Sequence, residues 1–232
     1  MKKICCAAVL LTCVLAWCLG QDSLARGEDL FMQNKPGEAV AYLENSITED
    51  SSQIRAYLYL GIAYEQLGKI DEAIAVYRQV LSRAGDLTAT VACNLANAYF
   101  KKGFVAEAEG MYTRALTADS VYASAYLGRA NTRVKRGSLR DAVADYEQYL
   151  LMEPRSSQRP SIERLVAIIK AEFAESERRR LVAEEAARVE AERRQALLDE
   201  VAASLQSAAG ASQGLSTGAE NIEGYDGEFE LE

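Results

Sequence analysis

The stretch IRAYLYLGIAYEQLGKIDEAIAVYRQVLSRAGDL, Ile54 to Leu87, reads as two amphipathic helices folded back on each other through Leu67-Gly68-Lys69. Apolar residues recur at helical spacing on both sides of that turn, and no proline interrupts either run. Small residues, Gly61 on the first helix and Ala73 on the second, stand where the two backbones must approach. Tyr57, Leu60, Tyr64, Tyr77 and Leu81 fill the space around that crossing. A single hairpin of this size buries too little apolar surface to be stable alone, so it requires neighbours of its own kind.

The chain supplies them at a fixed period. The small residue of the first helix returns as Gly27, Gly61, Ala96 and Ala130, at intervals of 34, 35 and 34. Ala39, Ala73, Ala108 and Ala142 keep the same intervals on the second helix, as do Leu43, Tyr77, Tyr112 and Tyr146, and Ile47, Leu81, Leu116 and Leu150. Three of the four turns carry a glycine: Gly68, Gly103 and Gly137. A one-residue insertion near Thr88 shifts all these series together, which ties them to one structural unit. The pattern, from roughly Gly20 to Ser156, resembles the tetratricopeptide repeat family of helix-turn-helix units. The expected fold is all-α: a superhelix of about four repeats (20–53, 54–87, 89–122 and 123–156), forming a domain over 21–156.

Composition narrows the function. The formal charge is −8, and removing Met1 to Gly20, whose only charged residues are Lys2 and Lys3, leaves −10. Such a balance argues against a general nucleic-acid binder, whose affinity comes from neutralising phosphates. There is no histidine. That removes serine–histidine and cysteine–histidine catalysis and the commonest metal ligand. No cofactor or metal is expected, and the chain reads as a non-enzyme. Cys93 is the one cysteine of the repeat body, without a disulfide mate, and reads as a small apolar residue.

Met1 to Gly20 has a basic start, an apolar run from Ile4 to Leu19 and an abrupt change to Gln21-Asp22-Ser23, the layout of a secretory signal. Three outcomes stay open: cleavage before Gln21, lipid attachment, or a retained anchor. Leu15-Ala16-Trp17-Cys18 resembles a bacterial lipobox with Cys18 as the lipidated residue, although Trp17 stands where a small residue is usual. Leu10-Leu11-Thr12-Cys13 is a second, equally imperfect match. Each outcome places the repeats outside the cytoplasm, in the periplasm or membrane-anchored in a bacterial cell envelope.

Within the repeats, Pro36 is placed to start the second helix of the first unit, which is expected to be the weakest. The fourth unit carries Arg133 where an apolar residue is usual, within a basic cluster of Arg129, Arg133, Lys135, Arg136 and Arg140. Two readings apply: a solvated turn ion-paired to Asp141 or Glu147, or a docking patch for an acidic segment. The resemblance implies a concave face built from the first helices and lined by Arg55, Leu58, Ile62, Glu65 and Gln66. Cys93, Asn97, Phe100 and Lys101 continue it, followed by Leu127, Asn131, Val134 and Lys135. Apolar side chains beside amides suit an extended peptide or partner helix. Some related domains clamp a terminal carboxylate on this face; Leu58, Ile62 and Gly128 stand where such a clamp needs polar groups, and only Asn94 matches.

After Pro160 a helix is expected over 160–207, with no proline or glycine until Gly210. Leu165, Ile168, Ile169 and Phe173 form a stripe suited to capping the fourth unit. Beyond Glu175 the sequence is rich in Ala, Glu and Arg, with opposite charges spaced to pair, such as Glu184 with Arg188 and Glu190 with Arg194. The seam of Val182, Ala186, Val189, Ala196 and Leu197 is broken by Arg193, which makes a weak coiled coil. The acidic tail, 208–232, has the composition of a disordered segment. The leading expectation is a protein–protein interaction scaffold of the cell envelope. The alternative is a surface-exposed lipoprotein adhesin that binds host molecules through the same repeats.

Overall fold

In the computed structural model, residues 23–218 are described, with side chains to residue 210. The expected leader with Cys18, and the acidic end after Gly218, lie outside the described residues. Two units are present, one reaching Ile169 and one beginning at Lys170.

The first unit consists of paired helices. In chain order they are α1 (23–32), α2 (Pro36–Glu49), α3 (Ile54–Gln66), α4 (Ile70–Val80), α5 (Thr88–Lys102), α6 (Val105–Ala118), α7 (Ala123–Arg136) and α8 (Leu139–Met152). Each odd-numbered helix packs on the next to make a hairpin, and each hairpin packs on its successor through α2·α3, α4·α5 and α6·α7. No strand occurs among the described residues.

The turns show why the period holds. Gly68, Gly103 and Gly137 adopt φ of 76°, 83° and 81°, the left-handed region that ends a helix at low cost for glycine. In the first unit Asn34 takes that place with φ 59°. Asparagine is the residue that best tolerates this conformation after glycine, so the first turn keeps the geometry without the glycine signal. Pro36 then sits in the first turn of α2, where its missing N–H costs nothing.

The insertion is also visible. After α4 the chain makes two 3-10 turns, Leu81–Arg83 and Gly85–Leu87, with Gly85 at φ 53° between α4 and α5. Buried Leu81 and Ala84 hold this irregular connection on the core. The third hairpin thus starts one residue late without breaking the stack.

The core is made where the repeat predicts it. Ala39, Ala73, Ala108 and Ala142 have no exposed surface, and Tyr57, Tyr77 and Tyr112 are almost completely buried. Burying each large apolar side chain contributes about 2 kcal/mol. At Gly61 the space a methyl would occupy holds the Tyr77 ring: an added Cβ would lie only 2.3 Å from Cε1. Tyr77, rather than Ala73, therefore demands the glycine. The first repeat is better packed than its sequence suggests: Leu30, Ala39, Leu43 and Leu60 form a buried cluster, and Gly27 lies against Leu43.

Helix α9 (Arg159–Gly218) begins at the end of the first unit. The Arg159 guanidinium donates to the carbonyls of Leu150 and Pro154, which ties its start to the end of α8. The residues it buries are Ile162, Val166 and Ile169. Of the expected stripe Ile169 is buried and Phe173 half-buried, whereas Ile168 is 62% exposed and Leu165 only half-buried; Ile162 and Val166 take the buried places instead.

In the second unit the helix continues without interruption past Gly210. Its ion pairs differ in partner from those expected. Arg188 pairs with Glu185 at 2.7 Å and with Glu192, and Arg179 with Glu175 at 3.0 Å. Exposed pairs of this kind contribute a few tenths of a kcal/mol each, about 0.3–0.5.

Candidate functional site

The side of the first unit where odd-numbered helices meet one another is defined by three ties between neighbouring repeats. Arg55 on α3 pairs with Glu28 on α1 at 3.0 Å. Lys101 on α5 pairs with Glu65 on α3 at 2.6 Å. Lys135 on α7 lies over the Phe100 ring of α5, 5.2 Å from its centroid. Glu65, Phe100, Lys101 and Lys135 therefore form one continuous strip across α3, α5 and α7.

Around that strip stand the other expected residues. Leu58 and Ile62, one helical turn apart on α3, are half-buried and rest on the main core while keeping an outer edge exposed. Gln66 is exposed at the end of α3. Leu127 and Val134 are half-buried on α7, with Asn131 exposed between them. Cys93 does not reach the surface: it is 3% exposed and belongs to the core. Burial, with a smaller contribution from Glu65, pushes its thiol up to about 12. A buried thiol held in its neutral form offers a ligand nothing.

The structure adds a feature that the sequence pattern alone does not join together. In the second, third and fourth hairpins the core tyrosine of the second helix reaches past the first helix to donate its hydroxyl to a residue of the inner side. Tyr112 donates to Asn97 Oδ1 at 2.6 Å, and Tyr146 to Asn131 Oδ1 at 2.7 Å. Tyr77 does the same to Glu65 Oε1 at 2.9 Å. Burial raises the pKa of all three phenols, so they stay protonated and remain donors. Each amide is thereby fixed with its oxygen engaged and its Nδ2 left as a donor. Tyrosine and asparagine series of one period carry the signal: Tyr112 and Tyr146, Asn97 and Asn131, both 34 apart.

The basic cluster is largely spent inside the fold. Arg129 makes a two-pronged contact with Asp145, at 2.9 and 2.7 Å, and Arg133 joins the same carboxylate at 2.7 Å. Arg133 also binds Glu109 of the preceding repeat at 3.0 Å, and Arg136 completes that pair. The acids that hold Arg129, Arg133 and Arg136 are Asp145 and Glu109, and Asp141, one of the expected partners, gives Arg133 its main-chain carbonyl. Asp145 is 3% exposed, so an apolar position of the repeat has become a buried charge network. Burial acts to raise the Glu109 carboxyl, but its hydrogen bonds from Arg133 and Arg136 outweigh this and hold it below the usual range.

At Gly128, packing as well as residue type disfavours the polar side chain that a carboxylate clamp needs. Gly128 faces the Tyr112 ring, where an added Cβ would lie 2.3 Å from Cε1 and Cζ. No lysine or arginine fits there unless Tyr112 leaves the core.

These features define an all-helical repeat protein with an amide- and aliphatic-lined inner side. The tetratricopeptide repeat family model matches residues 24–87 and 93–160, more than half of the sequence, and the chain belongs to that family. Among curated proteins it is similar to mouse RNA polymerase II-associated protein 3, 33% identical over 111 residues, covering 48% of this chain and 17% of that protein. The chain thus matches only a small part of that relative's length. A tetratricopeptide repeat protein from Parabacteroides merdae shares the fold, with a TM-score of 0.58 at 18% identity, over 68% of this chain and 63% of that one. So does Pseudomonas aeruginosa pilF, with a TM-score of 0.58 at 16% identity, over 67% and 69%.

Proposed function

We propose that this protein is a non-catalytic adaptor that holds a peptide or helix of a partner protein along the inner side of its repeats. The observation that carries this reading is the pair of tyrosine-held amides, Asn97 and Asn131, beside half-buried Leu58, Ile62 and Val134. Amide donors of fixed direction suit main-chain carbonyls, and partly exposed aliphatics suit side chains of an extended or helical segment. Because the repeats are already packed, binding needs little ordering of this chain, which favours affinity.

The setting proposed is the bacterial cell envelope, supported by the leader-like composition of Met1 to Gly20. Intact mass of the mature protein with detergent partitioning tests this: a start at Gln21 or a lipid on Cys18 supports it, and an unprocessed cytoplasmic chain overturns it. The adaptor reading is tested by partner capture from envelope extract. Changing Leu58, Ile62 and Asn97 together abolishes capture if the inner side is used, and unchanged recovery argues against it.

A further inference from the structure

The inner strip is unequal in charge along its length, and the inequality points to a ligand chemistry. Toward α1 and α3 its ions cancel: Arg55 is matched by Glu28, and Lys101 by Glu65. Toward α7 they do not. Among the described residues Lys135 has no carboxylate partner; its ammonium is parked over Phe100, and the residue is exposed. A ring face stabilises such a cation only modestly at an exposed site, so a carboxylate can replace or join it. Asn131 lies one turn before Lys135 on the same face of α7, and Asn97 one turn before Lys101 on α5. Amide donors, an aromatic ring and a surplus cation therefore share one end of the strip, and Leu58 and Ile62 occupy the other.

We infer that this face selects a linear peptide bearing a carboxylate side chain beyond an aliphatic stretch. In this arrangement Lys135 takes the carboxylate, the Nδ2 groups of Asn97 and Asn131 take main-chain carbonyls, and Leu58 and Ile62 take the aliphatics. This rests on the binding mode proposed above and adds the partner's chemistry to it. A single surplus cation matches one carboxylate; a nucleic acid or other polyanion would meet the repulsion of a chain with net charge −8. Arg129, Arg133 and Arg136 share the carboxylates of Asp145 and Glu109, so each already has an acid beside it, whereas among the described residues Lys135 is the cation of the strip without one. Tyr112 and Tyr146 act as positioning residues, since each holds its asparagine oxygen and so aims the Nδ2 donor.

The test is selection of a random dodecapeptide library on the full chain, followed by affinity measurement of the selected peptides. Selected peptides are expected to share an acidic residue to one side of aliphatic ones. Replacing that acid by its amide is expected to weaken binding about threefold to fivefold, the size of an exposed ion pair. In Lys135→Gln the same replacement is expected to change nothing, and added salt is expected to erase the difference in the wild type. Tyr112→Phe with Tyr146→Phe is expected to weaken all peptides, and Asn97→Asp, which keeps the acceptor but removes the donor, to do the same.

Two sets of outcomes distinguish the ligand's acidity from peptide binding itself. Peptides that bind, lose affinity with Leu58→Gln and Ile62→Gln, yet carry no acid or ignore Lys135→Gln overturn the acidic-ligand inference and leave the adaptor reading standing. Peptides indifferent to Leu58, Ile62 and Asn97, or no selected peptide at all, overturn both. Circular dichroism of each variant establishes that the repeats remain folded.

Discussion

Gly128 and Tyr112 are in contact across the boundary between the third and fourth repeats, and the absence of a side chain on α7 is what admits the tyrosine ring. The same ring then sends its hydroxyl to Asn97. One glycine therefore positions a group of the inner side from the neighbouring repeat.

Gly128→Ala is accordingly expected to lower stability by about 1–3 kcal/mol, the cost of overpacking a filled core. Gly110 on α6, where an added Cβ meets nothing within 4 Å, provides the contrast. Gly110→Ala is expected to gain about 0.5–1 kcal/mol from helix propensity alone. Urea unfolding of the two variants measures both.

Asp145→Asn removes the charge that faces Arg129 and Arg133 in a nearly buried site. Leaving two arginines without their carboxylate is expected to cost about 3–5 kcal/mol. Glu175→Gln on α9, in an exposed pair, is expected to cost less than about 0.5 kcal/mol. Denaturant midpoints compared at equal slope distinguish the buried network from the surface pair.

The Glu109 carboxyl titrates below the usual glutamate range in the folded chain. Its contribution is then present above the unfolded value of about 4.3 and is lost as pH falls through the lower folded value. Glu109→Gln is expected to lower stability at neutral pH and to flatten the acid limb of the stability curve. At the alkaline end the sign reverses. Tyr64, pushed up to about 12 by burial and then by Glu44, favours the folded state until pH exceeds the unfolded tyrosine value of about 10. Stability is expected to decline from there toward pH 12.

Cys93 is expected to resist alkylation while the chain is folded. With its thiol pushed up to about 12 and its side chain buried, modification at mildly alkaline pH should be more than ~100-fold slower than in denaturant. Mass mapping of the peptide that contains Cys93 follows this site separately from the four cysteines within residues 1–20. Equal rates in both conditions would place Cys93 at the surface.

The hairpins are legible in the sequence because each rests on steric needs that recur. Small residues at Ala39, Ala73, Ala108 and Ala142, and glycines in left-handed turns, leave a periodic trace. Asn34 is harder to read because a second residue type meets the same backbone need. The register of α9 escapes a reading by spacing because a continuous Ala- and Ile-rich helix offers two adjacent stripes, and only packing chooses Ile162, Val166 and Ile169.

The site is legible as a face but not as a mechanism. Family geometry places Leu58, Ile62, Asn97 and Asn131 at the meeting side of the helices, yet Cys93, on the same helix face, is covered by its neighbours. Local spacing shows which way a residue points and not what closes over it. The ion pairs elude the sequence for a related reason. Asp141 is near the arginines in sequence, whereas Glu109 comes from another repeat and Asp145 from the buried face of α8.

Partner recovery tests binding at the inner side most directly. Envelope extract is passed over the wild-type chain and over a variant carrying Leu58→Gln, Ile62→Gln and Asn97→Asp, both shown by circular dichroism to be folded. Loss of the partner from the variant alone is the predicted result; equal recovery on both would contradict binding at this face.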